Sequence, residues 1–189
     1  AEREIVYTDY TSPVFTLDGP LKFSLDEKDI TEGLHAQDCL DGDITSKIQV
    51  SFQDDVPDRT EGQYQAVYSV ANSAGDVKNL PVTVEFYDPT QTEQNSKLML
   101  TQYLVNLSAG EGFDPWRYLD SVAVNQYEYV KGEDGVLHGS TEEDVLDASA
   151  IQIENPVDVK KPGVYEVVYS VSNEEGVQGS VRLIVSVNS

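Results

Sequence analysis

The chain of 189 residues has few side chains suited to metal, redox or covalent chemistry: one cysteine, two histidines, one methionine and one tryptophan. Cys39 cannot form a disulfide within the chain, and we expect a small, buried apolar side chain. His35 lies only four residues away, but no motif supports a thiol and base pair. Neither His35 nor His138 has metal-ligand spacing. No phosphate loop, nucleophile elbow or dinucleotide fingerprint is present, so we expect no enzymatic activity.

Basic residues are also scarce, with 12 Lys and Arg against 34 Asp and Glu, a formal net charge of −22. A field of this sign repels phosphate backbones and anionic lipid, so nucleic-acid binding is not expected. No long apolar run is present, which argues against direct membrane insertion. The charge suits soluble modules that repel one another, and it could also attract divalent cations or basic partners.

The clearest positive feature is a repeat. The segment 62–86 aligns with 163–187 at a constant offset of 101 (163 − 62), with nine of 25 positions identical. Both copies carry Gly-x-Tyr-x-x-Val-Tyr-Ser-Val followed by an Asn and a Gly three residues later. Repeats of this kind indicate that one structural unit occurs twice. We therefore expect two domains, residues 1–88 and 97–189, joined by a polar linker at 89–96.

Alternating apolar residues and close turn signals predict an all-β chain of two tandem sandwiches. In each copy, the repeat predicts a long hairpin that closes the domain. Lys97–Leu107 is expected to be a strand, kinked or split in two. Asp114 and Pro115 are typical of the start of a helical turn, and Asp26–Ile30 is its suggested counterpart. Tyr64 and Tyr165 suit a sheet corner where the hydroxyl bonds backbone.

These segments resemble bacterial immunoglobulin-like domains of cell-surface proteins. The first domain carries Ala36 and Asp38 before Asp-Gly-Asp-Ile-Thr at 41–45. The second resembles a variant with Gly112 before Phe-Asp-Pro, and it lacks a clean counterpart of the acidic motif. The resemblance covers roughly residues 13–87 and 97–187. It implies immunoglobulin-like sandwiches, an extracellular location at the bacterial cell surface, and a spacer or adhesion role within a longer protein.

Two groups of residues are candidate sites. Asp38, Asp41 and Asp43 lie close together around a glycine and could supply oxygen ligands to calcium, the one cofactor considered. Alternatively, they form a turn in which aspartates bond nearby backbone NH groups. The second group is aromatic and comprises Trp116, Tyr118, Tyr127 and Tyr129. Exposed rings of this kind bind glycans, but the same residues could instead close one end of the sandwich.

The favoured function is a non-catalytic surface module whose partners are other domains of the same polypeptide. The alternative is a glycan- or protein-binding accessory module of a secreted hydrolase, with host protein or glycan as partner. Exposed aromatic side chains would favour binding through loops at one end of a sandwich.

Overall fold

A computed structural model describes residues 10–53, 60–90, 96–141 and 143–189. Its regular structure is almost entirely β, as the alternating pattern predicts. The strands of the first half are β1 (Val14–Leu17), β2 (Lys22–Ser24), β3 (Leu34–Asp38), β4 (Gly42–Asp43), β5 (Gln49–Phe52), β6 (Gly62–Ala71) and β7 (Val77–Tyr87). Those of the second half are β8 (Lys97–Leu100), β9 (Leu104–Ser108), β10 (Leu119–Val124), β11 (Tyr127–Lys131), β12 (Leu137–His138), β13 (Val145–Leu146), β14 (Ile151–Glu154), β15 (Gly163–Ser172) and β16 (Gln178–Asn188). Short 3-10 helices span Thr45–Lys47, Pro115–Tyr118 and Ala148–Ala150.

Each half of the chain builds its own pair of sheets. In the first half, sheet A has the order β1-β3-β4 and sheet B the order β2-β7-β6-β5. In the second half, sheet C has the order β13-β12-β11-β10-β8 and sheet D the order β14-β15-β16-β9. Apolar side chains from both sheets of a pair are buried, among them Phe15 and Val82 in one half and Val122 and Leu183 in the other. The architecture is an all-β sandwich fold. The proposed linker at 89–96 falls partly on residues 91–95, outside the described residues.

The split of the 97–107 segment is confirmed. β8 pairs antiparallel with β10 in sheet C, whereas β9 pairs parallel with β16 in sheet D. The first half repeats this arrangement, since β1 pairs antiparallel with β3 and β2 parallel with β7. In both halves the opening strand thus changes sheets and ties the two layers together.

Both copies of the repeat form a long antiparallel hairpin, β6–β7 and β15–β16. The two turns share a backbone hydrogen bond: the amide of Asn72 donates to the carbonyl of Asp76, and the amide of Asn173 donates to the carbonyl of Val177. The expected corner bonds are present too. The hydroxyl of Tyr64 donates to the carbonyl of Thr60 at 3.0 Å, and that of Tyr165 to Lys161 at 2.8 Å. The identical positions therefore maintain one local structure.

A second matched pair of tyrosines lies in the core. Tyr68 and Tyr169 are both 0% exposed, yet each hydroxyl has a backbone acceptor. Tyr68 donates to the carbonyl of Ile30 at 2.6 Å, and Tyr169 to that of Pro115 at 2.7 Å. Burial raises the pKa of both phenols, so the hydroxyls stay protonated and donate.

Three local expectations need correction or confirmation. Cys39 is exposed rather than buried, because it follows the end of β3 and its sulfur lies against the backbone of Thr11. Asp26–Ile30 contains turns but no helix. The predicted cap is confirmed, since the Asp114 carboxylate accepts from the amide of Trp116 at 3.1 Å. Among the described residues, no helix is long and apolar enough to cross a membrane.

Candidate functional site

Asp38 is held inside the first half of the chain by hydrogen bonds. It ends β3 and is 7% exposed. Its Oδ1 accepts from the amides of Leu40 and Asp41 at 2.9 and 3.0 Å, and its Oδ2 from the Asn72 side chain at 3.1 Å. Burial alone would raise the pKa of this carboxyl, but the three donors outweigh it and lower the pKa. Asp38 thus joins β3 to the turn between β6 and β7.

Asp41 joins the same two regions from the next loop. It accepts from the amide and hydroxyl of Ser73 at 2.7 and 2.5 Å, and from the ammonium of Lys47 at 2.9 Å. These donors, the Ser73 hydroxyl foremost, lower the pKa of Asp41 to about 2. Asp43 is more exposed and accepts from the amide of Thr45 at 2.9 Å, which lowers its pKa.

The three acids are therefore arranged as turn and loop acceptors. Where the structure describes the chain, no group of three or more His, Cys, Asp or Glu side chains is placed to hold a metal ion. A calcium ion at this loop would compete with the internal donors for the carboxylate oxygens. A stability measurement with and without calcium distinguishes a calcium site from the turn alternative.

Trp116 and Tyr118 are half-buried around the 3-10 helix at Pro115–Tyr118 and pack against the core. The indole of Trp116 donates to the carbonyl of Gly135 at 3.0 Å. The ring of Tyr118 stacks on Phe113 with 5.6 Å between centroids. The ammonium of Lys131 donates to the carbonyls of Trp116 and Arg117 at 2.7 and 3.0 Å. These contacts fix the helical turn against β11 and leave neither ring fully exposed.

The other two aromatic candidates differ from each other. Tyr127 and Tyr129 of β11 pair with Val124 and Val122 of β10, so they lie on the same face of sheet C as these two valines. Tyr129 is half-buried against the core, whereas Tyr127 at the hairpin end is 61% exposed. The hairpin turns through Asn125 and Gln126, both with positive φ, and this conformation matches the strand twist. Of the four candidates, Tyr127 is the most open to a ligand.

Tyr127 lines a surface groove of about 610 Å³ between β11 and the chain that follows β12. The groove exists because β11 and β12 pair over only two residue pairs, Val130 with His138 and Lys131 with Leu137. Its other walls include Glu128, His138 and Ser140. Glu128 and His138 lie on the opposite face of sheet C from Tyr127, so the ring and these polar groups border the groove from different sides. Sequence reasoning found Tyr127 but missed these polar neighbours, because only the strand pairing brings them together.

A row of side chains crosses the outer face of sheet C beside this groove. Cross-strand partners place Met99, Ser121, Val130, His138 and Val145 in one line over five strands. Met99, Val130 and Val145 are exposed apolar residues. Ser121 and His138 separate these three residues, and exposed apolar side chains that stand singly are ordinary on a protein surface.

Part of the chain is similar to a known family of protein domains. Residues 126–187 match the family model described as "Bacterial surface protein, Ig-like domain". The match supports a bacterial surface immunoglobulin-like domain in this segment, and with it a cell-surface or extracellular protein. The matched residues include β11, the groove and the second hairpin, but not the acidic loop of the first half.

Full-length likenesses are more distant. The chain is 28% identical over 161 residues to the pesticidal crystal protein Cry22Aa of Bacillus thuringiensis, which covers 84% of this chain. It spans only 19% of that relative's length. Among solved structures, the lipoprotein BT2262 of Bacteroides thetaiotaomicron is 16% identical over 91% of this chain and 98% of its own, with a TM-score of 0.31. A structure of CBM51-2 in complex with GlcNAc and INT domains from Clostridium perfringens ZmpB is 20% identical over 93% of this chain and 41% of its own, with a TM-score of 0.34.

Proposed function

We propose that the chain is a non-catalytic module of a larger extracellular bacterial protein, acting as a structural or adhesive part of the cell surface. Its partners are the other domains of the same polypeptide. The observation that carries the proposal is that the polar side chains suggested as sites form hydrogen bonds within the fold. The carboxylates of Asp38 and Asp41 and the indole of Trp116 bond neighbouring loops. Groups engaged in this way stabilise the fold rather than react with a substrate.

The test is replacement of the module in the protein that contains it. The segment 13–188 is exchanged for an unrelated pair of sandwich domains of similar size, and surface display and cell attachment are measured. A purely structural role predicts that both survive the exchange. Loss of attachment with intact display identifies an adhesive role. Enzymatic activity in the isolated chain, lost from the whole protein on the exchange, would contradict the proposal.

A second candidate function is glycan binding in the groove beside Tyr127. The groove brings an exposed ring at the end of β11 and the polar residues Glu128, His138 and Ser140 to one stretch of surface, and a sugar has matching apolar and polar faces. Support comes from the exposure of Tyr127 and from the polar side chains of Glu128, His138 and Ser140.

Glycan-array binding of the isolated chain tests this candidate. Tyr127→Ala should abolish any signal while leaving the strand circular dichroism unchanged, because the ring is largely outside the core. Tyr87→Ala is the matched control, since Tyr87 is an exposed tyrosine in the other half of the chain. Binding that survives Tyr127→Ala, or no binding to any glycan, would refute the groove as a glycan site.

A further inference from the structure

The outer face of sheet D is buried along β16 and β9, although a sandwich sheet needs only its inner face covered. Along β16, Leu183 and Val185 fill the core of the second half, so Ile184 and Ser186 point the other way. Both are nevertheless only 3% exposed. The parallel pairing places Leu104 beside Ile184 on this outer face, and it is 7% exposed. Another part of the molecule must therefore cover the outer face of sheet D.

The cover is the first half of the chain, through the open edges of its two sheets. Glu166, opposite Ile184, accepts from the amide and hydroxyl of Thr83 on β7 at 2.9 and 2.7 Å. At the β9 edge, the side chain of Asn106 donates to the carbonyl of Phe15 on β1 at 3.0 Å. β2 pairs with β7 only from Glu85 onward, so the amide of Thr83 is free for this contact. Unpaired strand edges are satisfied by the neighbouring domain.

Two of the chain's 12 basic residues lie in the same interface. Arg182 donates to the Gln63 side chain at 2.8 Å and lies 3.8 Å from the carboxylate of Glu85. Lys78 donates to the Asn188 side chain at 2.8 Å. In a chain with a net charge of −22, placing scarce cations between the halves offsets the repulsion of bringing two acidic domains together.

The order of these contacts gives the relative direction of the two halves. Near the start of β7, Lys78 contacts Asn188 at the end of β16. Farther along β7, Thr83 contacts Glu166, which is the cross-strand neighbour of Ile184, and Glu85 lies near Arg182 toward the start of β16. β7 and β16 therefore run antiparallel across the interface. Since β7 ends where the connection to β8 begins, the second half folds back alongside the first.

Tyr10, the first described residue, and Asn188, at the end of β16, lie at the opposite end of the pair. The hydroxyl of Tyr10 donates to the carboxylate of Asp76 and accepts from the Asn72 side chain. Asp76 is two residues from Lys78, which binds Asn188. Tyr10 and Asn188 are therefore at the same end of the pair, away from the connection between the halves.

We propose that the two sandwiches form one rigid, folded-back unit, held by the outer face of sheet D against the edges of β1 and β7. Chain joined at Tyr10 and at Asn188 then departs from one end. Such a unit points the end that holds Tyr87 and Lys97 outward, and it adds about one domain length to a surface protein instead of two. This inference concerns the arrangement of the halves and holds whether or not the proposed function is correct.

Pulsed electron-electron double resonance on the full chain tests the arrangement. Spin labels at A74C and A109C, in a C39S background, report on two exposed loops at the shared end. Ala74 lies in the β6–β7 turn, and the amide of Ala109 donates to the carbonyl of Asn188. The folded-back unit predicts a narrow distribution below about 30 Å, from the reach of the intervening side chains and turns. Two domains in line predict roughly 70 Å, two strand lengths of eleven residues.

The interface contacts are tested in the same labelled chain. Glu166→Ala combined with Arg182→Ala should broaden the distribution and shift it to longer distances. Glu154→Ala is the matched control, because Glu154 is an exposed acid on sheet D. The side chains of Glu166 and Arg182 point away from the core, so the circular dichroism of the double variant should stay unchanged. A long distance in the unmodified chain, or a short and narrow one in the double variant, would overturn the proposal.

Discussion

Tyr68→Phe tests whether the repeated tyrosines stabilise the fold through burial of a hydrogen bond. The variant keeps the ring in the core and removes only the hydroxyl. The carbonyl of Ile30, now 2.6 Å from its donor, then lacks a partner where water does not reach. Leaving a buried acceptor unsatisfied costs about 1–3 kcal/mol, and we expect a loss of about 1.5 kcal/mol in the free energy of unfolding.

Tyr64→Phe is the matched control on the same strand. Its hydroxyl bonds the carbonyl of Thr60 at 3.0 Å, but this pair is exposed and water replaces the lost donor. We therefore expect a loss below about 0.5 kcal/mol. Tyr169→Phe and Tyr165→Phe repeat the comparison in the second half, where the acceptors are Pro115 and Lys161.

Urea denaturation followed by circular dichroism measures both variants, with thermal melting as a second readout. A loss of about 1.5 kcal/mol lowers the Tm by about 6–12 °C if the first half unfolds alone, and by about 3–6 °C if both halves unfold together. The size of the shift therefore also reports on coupling between the halves. Equal losses for Tyr68→Phe and Tyr64→Phe would refute the reasoning, because the buried bond to Ile30 would then stabilise the fold no more than the exposed bonds between Tyr64 and Thr60.

Three further predictions concern the loops and the junction. Because Asp38 and Asp41 already accept internal hydrogen bonds, we expect the same Tm in millimolar calcium and in chelator, and a clear rise in calcium would show that the acidic loop binds the ion. The pKa of Asp41 falls from 3.8 to about 2 on folding, so the stabilisation it provides is present above about pH 4 and is lost toward pH 2. Asp41→Asn should therefore flatten the acid side of a plot of Tm against pH, and an unchanged plot would contradict this. A Cβ at Gly179 would lie 1.7 Å from the carbonyl oxygen of Ser96, so Gly179→Ala should destabilise the second half by about 2 kcal/mol in urea, whereas Gly176→Ala, strained only by its positive φ in an open turn, should cost less.

The hairpins were predictable because their residues alternate and because two copies share the pattern. Tyr64 and Tyr165 could be assigned to a corner from the strand boundary alone, and the bonds to Thr60 and Lys161 confirm it. The strand Leu119–Val124 was missed, since it follows the helical turn directly with no turn residue between them. Local pattern is sufficient where a bond joins near neighbours.

Contacts between distant segments were not predictable in this way. The run Leu183-Ile184-Val185 does indicate a strand buried on both faces, and that signal could have suggested an interface. Nothing in the sequence shows that Thr83 is the partner of Glu166, because both residue types are ordinary on exposed strands. The acid cluster was likewise ambiguous, since carboxylates that bind calcium and carboxylates that accept backbone bonds have the same local pattern.

Small-angle X-ray scattering of the chain is the most direct measurement of the folded-back arrangement. Two sandwiches of this size packed side by side predict a radius of gyration of about 17 Å, close to that of a compact chain of 189 residues. The same sandwiches in line, as in an extended spacer, predict about 23 Å. A value near 17 Å that rises in the Glu166→Ala, Arg182→Ala double variant is the predicted result. A value near 23 Å for the unmodified chain would contradict it.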